Sequence, residues 1–159
     1  MGTSTVGHQA GKHTPGHSTE KTIRHWRNSD RTLHRLWYAK GKVLAKQGYF
    51  DAALASFNAA LRFYPNHAQS WVYRGVVLAH LEQPKAALTS FDRALTLEAD
   101  SRETWIFRGA ILTALGDRAG ALRSYNQALA LQQKQQQVCN EYPLWCSLKT
   151  PFPAPVVSA

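Results

Sequence analysis

Residues 37–61 read WYAKGKVLAKQGYFDAALASFNAAL, and the stretch returns twice, as WVYRGVVLAHLEQPKAALTSFDRAL at 71–95 and WIFRGAILTALGDRAGALRSYNQAL at 105–129. The period is 34 residues. Trp37, Trp71 and Trp105 open the three copies, and Gly41, Gly75 and Gly109 follow four residues later. Leu44, Leu78 and Leu112 keep the same step, as do Ala53, Ala87 and Ala121. So do the aromatics Phe57, Phe91 and Tyr125, the alanines Ala60, Ala94 and Ala128, and the leucines Leu61, Leu95 and Leu129. Seven columns coinciding in three copies specify a repeat architecture, in which no unit buries its apolar face alone and stacked neighbours bury it together.

Each period predicts two helices. The first of each pair is expected over about 31–46, 68–81 and 102–115, and the second over 51–63, 84–97 and 118–131. Asp30, Asn66 and either Ser101 or Asp100 are the expected N-caps. Gly48, Pro84 and the Gly116-Asp117 pair break the chain between helices, and Pro84 suits a first turn, where its missing N–H costs nothing. A mid-helix glycine costs about 1 kcal/mol against alanine. Three at one position therefore imply a close helix–helix approach, expected opposite Ala53, Ala87 and Ala121. The repeated Trp, Leu and Phe/Tyr residues are read as packing, not as a ligand cage.

The pattern W-x3-G-x2-L followed by A-x3-F/Y-x2-A-L resembles the tetratricopeptide repeat over roughly residues 34–135. Pro65 matches that repeat's terminal proline, while Ala99 and Gln133 replace it in the next two copies. The seventh position, usually Leu, holds Lys40, Arg74 and Arg108; many bacterial members carry Arg there. The resemblance implies an all-α fold, a right-handed α-solenoid of three helix-turn-helix hairpins with a C-terminal capping helix. Repeats fall at about 34–67, 68–101 and 102–135, the cap at 136–148, and a flexible tail at 149–159.

The resemblance also implies a function: a non-catalytic scaffold, adaptor or assembly factor that holds a protein or peptide segment in a concave groove lined by the first helices. The groove positions are Arg35, Tyr38, Lys42 and Lys46 in repeat one, Gln69, Val72, Val76 and His80 in repeat two, and Glu103, Ile106, Ala110 and Ala114 in repeat three. That surface is basic at one end and apolar toward the other. It predicts a peptide with an acidic end near Lys42 and Lys46 and apolar side chains against Val72, Val76 and Ile106. One subfamily grips the C-terminal carboxylate of heat-shock chaperones with Lys, Asn, Asn, Lys and Arg. The matching positions here hold Tyr38, Lys42, Tyr73, Glu103 and Phe107, so that clamp is not expected.

Composition bounds the rest. The 159 residues carry a net charge of +9, and 44% are hydrophobic. Residues 30–67 hold six basic side chains against two acidic, residues 102–135 five against two, and residues 68–101 three against four. Such a balance favours acidic partners. Neither a run long enough to cross a membrane nor a signal-peptide layout is present, and Val6 breaks the myristoylation pattern that Met1-Gly2 begins. A cytoplasmic protein is expected. Cys139 and Cys146 lie seven apart, too far for a zinc or C-x-x-C pair, and are read as reduced thiols. No catalytic set, cofactor motif or metal site is recognisable.

Residues 1–29, rich in Gly, Ser, Thr and His, are expected to be a disordered basic tail. His8, His13, His17 and His25 without a scaffold predict no physiological metal site. The segment from Lys21 to Arg31, with Trp26 among its cations, supports an alternative reading as a nucleic-acid-associated arm. At the other end, Gln132 to Gln137 is expected to prolong the last helix, and Asn140 to cap a further short one. Val138, Leu144, Trp145 and Leu148 would then cover repeat three; alternatively this segment enters the groove. An uncapped end would also let a three-repeat array pair with a second copy.

Overall fold

The computed structural model describes residues 18–141, with side chains from residue 29 onward. Six helices follow one another: α1 (Ser18–Lys46), α2 (Phe50–Phe63), α3 (Ala68–His80), α4 (Pro84–Leu97), α5 (Arg102–Ala114) and α6 (Arg118–Glu141). They pair as three hairpins, α1/α2, α3/α4 and α5/α6, stacked into an α-solenoid. Helices α2 to α5 start and stop within about a residue of the sequence expectation.

The turns obey local backbone chemistry. Gly48 and Gly116 take φ of 82° and 83°, the left-handed region open to glycine. Glu82 holds the same place in repeat two with φ 57°. Asp117 caps α6, its Oδ1 accepting from Gly120 N–H at 2.9 Å. Ser101 caps α5 as expected, whereas α3 is capped by His67 rather than Asn66. The His67 Nδ1 accepts from Ser70 N–H at 3.1 Å and lies 2.8 Å from Ser70 Oγ, so an imidazole does the work usually left to a short oxygen-bearing side chain.

Two ends differ from expectation. Helix α1 starts at Ser18, well upstream of Asp30, so residues 18–29 have helical backbone rather than forming a tail. No glycine or proline interrupts the chain between Pro15-Gly16 and Gly41, and Lys, Arg and Glu tolerate the helix well. Helix α6 runs unbroken to Glu141, which puts Asn140 inside it instead of at a new N-cap. Cys139 near its end is disulfide-bonded, not the reduced thiol expected. Expectations for residues 1–17 and for the cap residues beyond Glu141 lie outside the described residues.

The core lies between the hairpin helices. Ala53, Phe57, Ala60, Ala87, Phe91 and Ala94 are essentially inaccessible. Burying a phenylalanine in this way contributes about 1.5–3 kcal/mol. A Cβ on Gly41 would stand 2.8 Å from the Phe57 ring, one on Gly75 2.7 Å from Phe91, and one on Gly109 2.6 Å from Tyr125. The glycine column thus seats the aromatic column of the partner helix, not the alanine column expected from sequence. A flat ring edge needs the bare Cα beneath it.

Candidate functional site

The first helices bring four of the expected groove residues together. Lys42 and Lys46 on α1 face Val76 and His80 on α3 across a shallow trough, with Ala45, Phe50, Tyr73 and Val77 completing its lining. Phe50, the first residue of α2, closes one end by stacking on His80, ring centroids 4.5 Å apart and planes 3° from parallel. The floor is apolar, and the α1 lip carries two ammonium groups. Among the described residues neither ammonium pairs with a carboxylate.

Lys42 is held by aromatic faces. Its Nζ lies 5.5 Å from the Tyr38 ring centroid and 5.6 Å from that of Tyr73, within cation–π range of both. The two rings meet edge to face at 5.6 Å. Burial, reinforced by the charge and hydrogen bond of Tyr73, pushes the Tyr38 phenol up to about 12. Its hydroxyl therefore remains a neutral polar group at the trough wall.

Other expected groove residues lie elsewhere. Val72 is buried, packed with Leu78, Ala87, Phe91 and Ala94, and is removed from the accessible surface. Its position faces the seam between successive repeats, where Ile111 of α5 packs on the same cluster. Tyr38, at the same register in repeat one, is half-buried for the same reason, under Tyr73. Ile106 is 41% exposed. Arg35, Gln69 and Glu103 are exposed but do not line the trough, and Glu103 pairs with Arg102 at 3.5 Å. Phe50, Ala45 and Tyr73 were missing from the sequence-derived groove; the aromatic at the sixth position in two of three repeats, Tyr73 and Phe107, was the available signal.

A second set of contacts fixes the geometry of the trough. Arg74 donates from Nε to Asn58 Oδ1 at 2.8 Å and from a terminal nitrogen to Ser90 Oγ at 2.6 Å. Arg108 repeats this with Asp92 Oδ1 at 2.7 Å and Ser124 Oγ at 2.7 Å. Each guanidinium also covers the repeat's tryptophan, Trp71 or Trp105, 5.5 and 5.8 Å from the ring centroids. These arginines bridge one repeat to the next. Their partners Ser90 and Ser124 belong, with Ser56, to an eighth column at the 34-residue period, absent from the seven read from the sequence.

The geometry agrees with comparisons to known proteins. The family model described as Tetratricopeptide repeat matches residues 38–104, which span the trough. That span carries the tetratricopeptide repeat. Among solved structures, MamA shares 15% identity with this chain at a TM-score of 0.64, covering 75% of each chain. The second TPR of Spaghetti (RPAP3), bound to HSP90 peptide SRMEEVD, shares 16% identity at a TM-score of 0.68, over 72% of this chain and 98% of that one. The TPR2B domain of yeast Sti1, in complex with pHsp70, shares 16% at 0.64, over 67% and 85%. These likenesses are likenesses of fold. No curated protein matches the sequence significantly. Among the described residues, no helix is long and apolar enough to cross a membrane, and no group of three metal-ligating side chains comes together.

Proposed function

We propose that this TPR domain is a non-catalytic adaptor whose α1/α3 trough binds an extended segment of another protein. The observation that carries the reading is the pair of unneutralised ammonium groups, Lys42 and Lys46, along the edge of an apolar floor. An acidic side chain of the segment pairs with these lysines, and an apolar neighbour seats on Val76, Tyr73 and Phe50. Solved TPR structures with bound chaperone peptides support a peptide as the ligand class.

The partner differs from a chaperone C-terminus. Tyr38, Lys42, Tyr73, Glu103 and Phe107 stand at the five carboxylate-clamp positions, and exposed Glu103 repels a terminal carboxylate. The requirement is an internal acidic-apolar segment. Panning a random peptide display library against the full chain, followed by amide chemical-shift mapping with a recovered peptide, tests this reading. Shifts should concentrate around residues 42–50 on α1/α2 and 73–80 on α3. Shifts confined to α5 and α6 would overturn it.

A further inference from the structure

The two ends of the solenoid expose the same columns that its interior buries. Val43 is 54% exposed on α1, whereas Val77, its counterpart on α3, is 1% exposed and packs against Ala53 and Phe57 of the preceding hairpin. Leu36 is 66% exposed, while Ser70 and Thr104 at the same register are fully buried. At the opposite end, Leu129 on α6 is 52% exposed where Leu61 and Leu95 are 8% and 9%. Tyr125 is 39% exposed where Phe57 and Phe91 are 0% and 1%, and Leu122 in the same face reaches 61%. Among the described residues, one face stands where a preceding hairpin would pack, and the other where a following one would.

We infer that the occupant of each face is a second copy of this chain, joined head to tail so that α6 of one copy packs on α1 of the next as α2 packs on α3. The polar register continues too. Lys40 stands at the position of Arg74 and Arg108 and already lies over Trp37, 4.9 Å from the ring centroid, as those arginines lie over their tryptophans. Asn126 stands at the position of their acceptors Asn58 and Asp92. Across the junction Lys40 therefore reaches Asn126. The helix lengths also fit. Helix α6 has 24 residues against 14 for α2 and α4, and α1 has 29 against 13 for α3 and α5. Both extensions project from the same edge of the stack, so in a head-to-tail pair they lie alongside each other as an additional antiparallel contact.

Such a contact is heterologous and leaves one free face at each end, so it propagates rather than closing as a symmetric dimer. Ala39 replaces the ring that Tyr73 and Phe107 stack on the preceding hairpin, which makes the junction weaker than the internal ones and reversible.

The test uses the full chain in analytical ultracentrifugation, from low to high micromolar. Wild type should sediment with a mass that rises with concentration above the 17.8 kDa of one chain. Leu36→Glu/Val43→Glu and Leu122→Glu/Leu129→Glu alter only exposed sites, so unchanged circular dichroism is expected, and each variant alone should be monomeric. Mixed, they should form a 1:1 complex that grows no further, because each retains one intact face. Lys40→Arg/Asn126→Asp, which recreates the Arg108–Asp92 pair, should tighten self-association about two- to fivefold. A wild type monomeric throughout overturns the inference. If truncation after Glu141, in a Cys139→Ser background, then produces self-association, the chain's own residues 142–159 are the occupant instead. Association that survives either double variant, or variants that fail to pair when mixed, overturns it equally.

Discussion

Arg108 on the first helix of repeat three donates to Asp92 on the second helix of repeat two at 2.7 Å, and Arg74 makes the same reach one repeat earlier to Asn58 at 2.8 Å. Each arginine also donates from one terminal nitrogen to a buried serine of its own hairpin, Ser124 or Ser90. The pair of bonds sets the angle between successive repeats and hence the spacing of the first helices that form the trough. Arg108→Ala removes two hydrogen bonds, one of them an ion pair, and should lower unfolding free energy by about 1–3 kcal/mol in urea denaturation. Arg108→Lys cannot hold both partners at once and should recover only part of the loss.

Gly75→Ala places a methyl 2.7 Å from the Phe91 ring, in a fully packed interior. Helix propensity alone would make this substitution stabilising by about 1 kcal/mol. Overpacking should win, giving a net loss of about 1–2 kcal/mol. Phe91→Leu in the Gly75→Ala background should cost less than Phe91→Leu in wild type, a non-additivity that a double-mutant cycle measures.

Glu82 occupies a left-handed turn position that Gly48 and Gly116 fill in the other repeats. A residue with a Cβ is strained there by about 1–2 kcal/mol. Glu82→Gly should raise stability by about 0.5–1 kcal/mol, after the greater freedom that glycine gives the unfolded chain is offset. A lowered melting temperature would show that Glu82 is held by something other than backbone geometry.

His67 predicts a pH dependence. Burial, and then the nearby His34 ring at 4.4 Å, lower its affinity for a proton relative to the unfolded chain. The unfolded state therefore binds more protons through this window, and stability rises with pH across it. The contribution is complete above the ordinary imidazole value of about 6.5 and is lost as pH falls through that value toward the lowered one. Protonation also blocks Nδ1, which caps α3. Melting temperature should fall between neutral and mildly acidic pH in wild type, and the fall should be smaller in His67→Asn, which keeps an acceptor at the cap but does not titrate.

The repeat was legible because its packing residues are chemically extreme. Tryptophan, glycine and alanine at fixed spacing leave little room for another arrangement, and they placed four of the six helices closely. The site was legible only in part. Lys42, Lys46, Val76 and His80 converge as the family resemblance implies, but Val72 turns into the core because the following hairpin covers its register. The serine column escaped notice because an isolated serine reads as surface, and only the arginine that satisfies it makes burial affordable. The imidazole cap at His67 and the helical start at Ser18 depend on a neighbouring ring cluster and on an uninterrupted run of tolerant residues, neither of which a capping rule detects.

The most direct test of the peptide trough is a fluorescence-anisotropy titration of a library-selected acidic-apolar peptide against the wild-type chain and a Lys42→Glu/Lys46→Glu variant of unchanged circular dichroism. Reversing both charges should weaken binding at least about tenfold, with the wild-type affinity falling as salt rises. Equal affinity for the two proteins would contradict a trough whose selectivity rests on those two lysines.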